Sequence, residues 1–405
     1  MALPAYFRGQ LRPFLLAAAA LAGLGLFVGG VVFWSGAYNI SADKPHWKVT
    51  EWMLRTARNR SIKVRSRNTT PPSLNEDGLV SLGAEYFRSG CASCHGYPGQ
   101  LQGPIAAQML PRPPDLLNAA KRYSAGELHW IIDNGLKFTG MPAWPADKRR
   151  DEIWAVVAYL LRVHERGIDM SDSSVSVVSF APATRRALRS AVPPRDPSRA
   201  PLATLAAGLA DSLTPTSVLL RASCRRCHGD ADTPPVGPQV PSLNGQSRPY
   251  LTRALREYAA RQRVSGYMAP VSHALTSADI NNVARWYASL TPLSAHSADM
   301  PANTPDNDAG DALQLGKTIA ERGLPQHDIP ACSSCHHEAS TQFPDLHGQS
   351  APYLAQQLRL FQTGGRNKTG YATIMATIAS RLSPAQLRAV SLYYATLQAE
   401  HVHHQ

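Results

Sequence analysis

The sequence predicts a mostly α-helical protein in which one N-terminal transmembrane helix is followed by three tandem domains. Three observations predict this fold class. An uncharged apolar stretch lies near the N-terminus, a short cysteine–histidine motif occurs three times, and the chain around the later motifs repeats itself. The length of 405 residues leaves room for two to four domains of ordinary size. The hydrophobic content of 44% excludes both wholesale disorder and a polytopic membrane protein.

All six cysteines fall in pairs, and each pair is followed directly by a histidine. The strings CASCH, CRRCH and CSSCH match the C-x-x-C-H pattern of covalent haem attachment. Two thiols one helical turn apart can add to the two vinyl groups of one porphyrin, and the next residue can place its imidazole on the iron. A zinc site needs four ligands, and a thioredoxin-like pair does not need an adjacent histidine. We therefore expect three covalently bound haem c groups at Cys91, Cys94, His95, Cys224, Cys227, His228, Cys332, Cys335 and His336.

The second half of the chain repeats in step with these motifs. VPSLNGQSRPYL matches FPDLHGQSAPYL at an offset of 103 residues, and Met268 pairs with Met375 at an offset of 107. Met141, Met268 and Met375 each precede an aromatic residue by 18 positions, within a pattern that predicts a helix. A thioether ligand on the side opposite the histidine fills the last coordination position of the iron, which suits electron transfer, and it raises the reduction potential of the haem. The predicted iron ligand pairs are His95/Met141, His228/Met268 and His336/Met375.

Other roles for these residues remain open at this point. A methionine also serves as a gap filler in a core. Met109 is the one rival of Met141, and it follows His95 so early that we do not expect it in a distal loop. The backbone carbonyls of three prolines can accept hydrogen bonds from the imidazole N–H groups and so fix the orientation of the rings. The alternative is that these prolines only shape the loops in which they lie. These prolines are Pro114, Pro241 and Pro344.

The strings CASCHG and GMPAW, and the later patterns PxL-x-GQ-S-x-PYL and M-x(6)-L-[ST], resemble class I cytochromes c in tandem. Residues 201–397 resemble dihaem two-domain cytochromes c. The first region and the run SGAYNISADKPHW are similar to membrane-anchored cytochrome subunits of periplasmic dehydrogenases, and the whole layout is similar to trihaem subunits of membrane alcohol and sugar dehydrogenases. His337 departs from the pattern because glycine follows the other two motifs, which predicts altered packing there. Lys148 replaces a leucine of the later regions.

The resemblance and the composition divide the chain into seven parts. Stretches rich in Ser, Ala and Pro mark two linkers, and the first is long enough to let the first domain move independently. The predicted parts are a membrane anchor (1–42), a basic juxtamembrane segment (43–77), cytochrome c domains (78–167, 201–293 and 311–400) and linkers (168–200 and 294–310).

The stretch from Phe14 to Trp34 has 21 residues and no charge. A helix of that length spans roughly 30 Å, the thickness of one bilayer core. A cleaved signal peptide is the rival, although its apolar core is usually about 7–15 residues long. Basic residues flank both ends, so charge does not orient the helix. The resemblance implies haem maturation outside the cytoplasmic membrane, and hence a bacterial single-pass protein with its haem domains in the periplasm.

The predicted function is electron transfer in a periplasmic respiratory chain, as the cytochrome subunit of a dehydrogenase complex and not as an enzyme. One alternative is an electron-donor subunit of a terminal oxidase. Another is a haem enzyme with one open iron, which the three matching methionines disfavour. The implied partners are a periplasmic dehydrogenase catalytic subunit or another redox protein, membrane lipid through the N-terminal helix, and quinone or a terminal oxidase. Nucleic acid is not expected despite the net charge of +12, because the haem domains are periplasmic.

Overall fold

The structure, a computed structural model, describes residues 5–41, 44–97, 102–116, 119–166, 217–292, 306–337 and 340–397. Within these ranges every regular element is a helix, and the β interaction found is an isolated antiparallel bridge between Leu324 and Ile329. The prediction of a mostly α-helical protein is therefore confirmed. We call residues 44–166, 217–292 and 306–397 the first, second and third segments; each contains one C-x-x-C-H motif.

The N-terminal helix α1 (Ala5–Ser35) is long and apolar enough to cross a membrane. Its apolar part, Pro13–Ser35, has 23 residues and a mean hydropathy of 2.3. It extends the predicted span by one residue at each end, and it is the one helix of this kind within the described part of the chain. A signal sequence near an N-terminus can pass the same test of length and apolar composition.

Helix α2 (Lys48–Arg65) follows α1 and is the first helix of the first segment. Its C-terminal end is fixed, because Ile62 is only 1% exposed and the chain that follows packs against Gly126. Its N-terminal half is exposed, including the large side chains of Trp52 and Met53. The predicted basic juxtamembrane segment (43–77) thus contains a helix that packs at its C-terminal end and is exposed over its N-terminal half.

The first segment contains six further helices: α3 (Asp77–Tyr86), α4 (Ala92–His95), α5 (Pro104–Gln108), α6 (Ala119–Arg122), α7 (Ala125–Asn134) and α8 (Arg150–Arg166). A π-helical turn, Phe87–Cys91, joins α3 to α4. Helices α3 and α8 cross at Gly83, where a Cβ would overlap the backbone of Ala155. The core between them includes Phe87 and Val156, each 1% exposed.

The second segment contains α9 (Ser217–His228), α10 (Arg248–Ala259), α11 (Met268–His273) and α12 (Ser277–Ala288). The third contains α13 (Asp306–Glu321), α14 (Ala351–Gln362), α15 (Gly370–Ala379) and α16 (Pro384–Thr396). Gly316 of α13 lies against the backbone of Ala389 in α16, as Gly83 lies against Ala155. The first and third segments therefore share a close helix crossing, of α3 with α8 and of α13 with α16.

The two predicted linkers and the start of the predicted second domain lie wholly or partly outside the described residues. The first linker, 168–200, and the beginning of the predicted second domain, 201–216, lie outside them. Residues 294–305 of the second linker also lie outside them. The remainder of that predicted linker is helical, because α13 begins at Asp306.

The second and third segments meet through equivalent hydrogen bonds. The Gln246 side-chain amide donates to the carbonyl of Asp345 at 2.7 Å. The Gln349 amide donates to the carbonyl of Ser242 at 2.8 Å. Each partner is related to its counterpart by the 103-residue offset of the sequence repeat. Two hydroxyl contacts follow the same offset: Ser247 to the carbonyl of Thr341, and Ser350 to the carbonyl of Pro238. The interface therefore resembles a two-fold contact between like halves.

The first segment packs directly against the second. A Cβ on Gly78 would lie 2.7 Å from Cδ of Pro238, so the two backbones are in close contact. The Arg149 guanidinium donates to the carbonyl of Val264 at 2.8 Å. Val240 of the second segment also belongs to the core of the first. The first and second segments are therefore in direct contact, and the expectation that the first domain moves independently stays a prediction, since surface packing as well as linker length decides whether two parts separate.

Candidate haem sites

The three C-x-x-C-H motifs lie on different local structures. In the first segment the motif follows a π-helical turn and ends α4; in the second it forms the last turn of α9. Gly96 and Gly229 follow these motifs with a φ of +70°, a conformation that favours glycine. The third motif begins on the 3-10 turn Cys332–Ser334. His337 replaces the glycine and does not adopt a left-handed φ, so the chain leaves this motif by a different path.

None of the six motif cysteines forms a disulfide. Cys94 and Cys335 are exposed, and the other four are half-buried. Burial raises the pKa of these four thiols to about 11, so they are protonated at neutral pH: Cys91, Cys224, Cys227 and Cys332. Neutral sulfur in apolar surroundings suits a thioether link to haem, because a thioether carries no charge.

Each motif histidine is oriented by the carbonyl of a proline. Nδ1 of the histidine lies 3.0 Å from the carbonyl of Pro114 in the first segment. The same distance is 2.9 Å to Pro241 in the second and 2.9 Å to Pro344 in the third. Because a carbonyl only accepts, Nδ1 donates, and Nε2 keeps a lone pair for a metal. The prediction that these three carbonyls fix the imidazole rings is confirmed.

The third site contains a polar atom that the protein does not satisfy. His336 is 7% exposed, and its Nε2 is buried without a hydrogen-bond partner among the described residues. Burial lowers the pKa of His336, and also that of His228, so these rings are neutral at pH 7. A buried nitrogen without a partner costs free energy unless it binds something. This nitrogen therefore fits a haem iron.

A cleft with a largely apolar lining opens beside His95 in the first segment. Its lining includes Phe87, Leu116 and Leu160. Phe87 comes from the π-helical turn before the motif, and Leu160 comes from α8. Apolar walls of this kind favour a flat hydrophobic ligand such as a porphyrin.

The three predicted distal methionines are half-buried and occupy different local structures. Met141 lies in the loop after α7, where its backbone N–H donates to the Thr139 hydroxyl at 3.1 Å. Met268 begins α11. Met375 lies inside α15 and packs in a cluster with Phe361. The three histidine–methionine pairs stay predictions.

Met109 lies beside the Met141 loop. A Cβ on Gly140 would overlap the methyl carbon of Met109, so the two residues are in contact. The position of Met109 in the sequence is therefore no argument against it, because folding decides which residues meet. The first segment brings two thioethers to one loop.

Sequence reasoning missed a pair of arginines between the second and third segments. Arg263 is 5% exposed, and its guanidinium lies 3.5 Å from the Tyr250 hydroxyl and 3.4 Å from the Tyr353 hydroxyl. Arg366 donates to the Gln357 side-chain oxygen at 2.7 Å. These partners are neutral, so the guanidinium charges are left to attract an anion. The two propionate carboxylates of a haem match that charge.

A signal for these arginines was present in the repeat. Arg263 and Arg366 are separated by 103 residues, as are Tyr250 and Tyr353. Burial raises the pKa of Tyr250, but the two nearby guanidinium groups more than offset it and lower the pKa overall. The potential in this cluster is therefore positive.

Comparison with known proteins identifies the family. Residues 78–160 match the family described as "Cytochrome C oxidase, cbb3-type, subunit III". The chain is 32% identical to "Cytochrome c-552" of Acidithiobacillus ferridurans over 202 residues, which are 48% of this chain and 81% of that protein. It is 35% identical to "Cytochrome c4" of Pseudomonas aeruginosa over 178 residues, covering 42% of this chain and 82% of that protein. It is 33% identical to "Thiosulfate dehydrogenase electron acceptor" of Thiomonas intermedia over 178 residues, covering 43% and 78%.

The attachment motifs and the oriented histidines define a haem-binding protein of the c type. With relatives at this level of identity and coverage, the chain belongs to the cytochrome c family. Members of this family transfer electrons and hold haem c covalently, so the prediction of an electron-transfer protein is confirmed.

Proposed function

We propose that this chain is a membrane-anchored trihaem cytochrome that transfers electrons as the cytochrome subunit of a periplasmic dehydrogenase complex. The observation that supports three haem sites is the histidine–proline hydrogen bond, which recurs beside every C-x-x-C-H motif. When bound, each haem supplies an iron that accepts and releases one electron.

The chain's own residues attach and enclose these groups. In this proposal, the cysteine pairs hold the three porphyrins, the histidine–methionine pairs close the irons, and Arg263 and Arg366 balance propionate charge. The proposed cytochrome c domains are 78–167, 201–293 and 311–400, one for each motif.

The contacts between segments support a position of the second site next to both of the others. Cys91 and Cys227 both pack against the core of the first segment, so the attachment edges of the first two sites face one interface. Arg226 pairs with Glu85 across that interface at 3.7 Å. Arg263 and Arg366 lie between the second and third sites. In this proposal the second site, which borders both of the others, passes electrons between them.

The dehydrogenase partner is supported by relatives. One relative described above is named a thiosulfate dehydrogenase electron acceptor, as is a protein of Stutzerimonas stutzeri that is 30% identical over 179 residues. The resemblance of the layout to trihaem subunits of alcohol and sugar dehydrogenases points to the same kind of partner. In this proposal α1 anchors the chain in the bacterial cytoplasmic membrane, and the haem domains lie in the periplasm.

The haem count tests this proposal. The purified chain is expected to show a mass increase of three haem groups and three haems per polypeptide in a pyridine haemochrome assay. All three should survive acid–acetone extraction, because thioether links do not dissociate. Two haems per intact chain would remove one of the proposed domains.

An electron-donor subunit of a terminal oxidase is the second candidate, and the family match of residues 78–160 favours it. The two candidates differ only in the partner. Isolation of the tagged chain from its native membranes, followed by mass spectrometry of stoichiometric partners, separates them. A catalytic dehydrogenase subunit supports the proposal, and oxidase core subunits support the alternative.

A further inference from the structure

We propose that Glu152 of the first segment holds the methionine loop of the second segment, so that Met268 is positioned by another part of the chain. The inference rests on the proposed function, in which Met268 closes the second iron. It makes Glu152 a positioning residue, because Glu152 acts on the methionine through an intervening side chain.

Glu152 is a buried carboxylate at the interface of the two segments, 5% exposed. One oxygen accepts a hydrogen bond from the Ser265 hydroxyl at 2.6 Å. The other accepts from the backbone N–H of Gly266 at 2.7 Å and from the Trp144 indole N–H at 3.1 Å. The Arg149 guanidinium lies 3.0 Å away and also pairs with Asp151 at 2.9 Å. All four groups in direct contact with this carboxylate are therefore donors.

The Ser265 hydroxyl links Glu152 to the backbone of Met268. It accepts a hydrogen bond from the backbone N–H of Met268 at 3.0 Å and another from that of Tyr267 at 3.2 Å. Its own proton is directed to Glu152. The start of α11 is thus fixed through a serine that the first segment orients.

The same carboxylate also touches the methionine loop of its own segment. Trp144 follows Met141 by three residues, and its ring lies 5.5 Å from that of Tyr267. Tyr267 in turn stacks on Tyr86 of the first segment, with 3.4 Å between the ring centroids. Glu152 therefore connects both distal loops.

In the third segment, the corresponding methionine does not depend on a neighbouring segment for its position. Ala372 stands 107 residues after Ser265 and lies within α15. Met375 is therefore held in a helix by that helix's own backbone hydrogen bonds. The loop before Met268 is not helical and takes its support from Glu152.

The test is Glu152→Gln in the full haem-loaded protein. The amide replaces one accepting oxygen by a donor, so the four donors around it cannot all be satisfied. We expect an unchanged haem content, a lower potential at one haem, and about one equivalent of carbon monoxide bound per reduced chain. Asp133→Asn is the matched control, because Asp133 pairs with Arg150 within the first segment. It should bind no carbon monoxide.

Ser265→Ala separates positioning from mere interface stability. It removes the hydroxyl between Glu152 and Met268 but leaves the carboxylate, Trp144 and Gly266 in place. It should also open one haem, and neither variant should add to the effect of Met268→Ala. Wild-type carbon monoxide binding and potentials in Ser265→Ala would overturn the inference, even if Glu152→Gln fails to fold. A wild-type chain with fewer than three haems would instead overturn the proposed function.

Discussion

At the level of single residues, the first segment presents two thioethers to one loop. Met141 follows the spacing rule of the other two methionines, and Met109 contacts Gly140 beside it. Only one of them can complete the coordination of a histidine-bound iron at a time. Spacing favours Met141, since it is the residue that precedes an aromatic side chain by 18 positions.

We therefore predict that Met141→Ala opens one haem to carbon monoxide and lowers its potential, because a soft thioether ligand is lost. Met109→Ala should leave both unchanged. The measurements are carbon monoxide difference spectra and a redox titration at constant haem content. Met53→Ala is a suitable control, because Met53 is 58% exposed on α2. The reverse result would assign the ligand role to Met109.

At the level of helices, the crossing of α3 and α8 depends on the absence of a side chain at Gly83. A Cβ there would overlap the backbone of Ala155 and approach Tyr159 within 2.9 Å. Backbone cannot move aside as a flexible side chain can. We predict that Gly83→Ala lowers the free energy of unfolding by about 1–3 kcal/mol, despite the better helix propensity of alanine.

Gly310 provides the matched control for this substitution. It is also a helical glycine, and a Cβ on it would meet nothing within 4 Å. Gly310→Ala should therefore stabilise the chain by up to about 1 kcal/mol. Thermal unfolding of the two variants is the measurement. Equal melting temperatures would show that α3 and α8 are not in close contact.

Helix α2 makes a separate prediction, which concerns assembly. Its exposed part carries Arg55 and Arg60, with Arg58 partly covered, and eight basic residues fall within residues 43–67. These groups suit either an acidic face of the partner subunit or anionic headgroups, which contribute about 1 kcal/mol per basic residue. We predict that reversal of these three arginines to Glu weakens partner assembly at low salt, with unchanged haem spectra.

Copurification with the partner over a range of salt concentrations measures this effect. The control reverses three exposed arginines of the second segment: Arg248, Arg256 and Arg285. If the α2 variant assembles as well as the wild type at every salt concentration, the helix serves the membrane surface only.

At the level of the whole molecule, the interface between the second and third segments is nearly but not fully symmetric. The Gln246 oxygen accepts the backbone N–H of Asp345 at 3.1 Å. The corresponding oxygen of Gln349 is buried without a hydrogen-bond partner. Gln246 thus makes two hydrogen bonds across the interface, whereas Gln349 makes one.

We predict that Gln246→Ala lowers the free energy of unfolding by about 1 kcal/mol more than Gln349→Ala, which is the value of one net hydrogen bond. Denaturant unfolding of the two single variants and of the double variant measures the difference. Gln108→Ala, on an exposed residue of α5, is the control. Equal losses for the two variants would show that both halves of the interface are equivalent.

The cofactor could be predicted from the sequence because the residues that attach a haem are close together in the chain. Cys91, Cys94 and His95 are nearly adjacent in the chain, and a bond to one porphyrin demands that spacing. The role of the proline carbonyls could also be predicted, since the sequence repeat aligns Pro241 with Pro344. The apolar stretch near the N-terminus likewise depends only on composition and length, and α1 matches it closely.

Contacts between distant parts of the chain were decided by the tertiary structure alone. No pattern in the sequence indicated that Glu152 would reach Ser265, because 113 residues separate them and the contact depends on two docked surfaces. The contact of Met109 with Gly140 was not predicted for the same reason, since sequence distance says little about distance in a folded chain. The sequence by itself therefore determined which cofactor the chain holds and how often the attachment motif occurs. Only the tertiary structure decided how the sites support one another, because burial and docking arise when the segments pack.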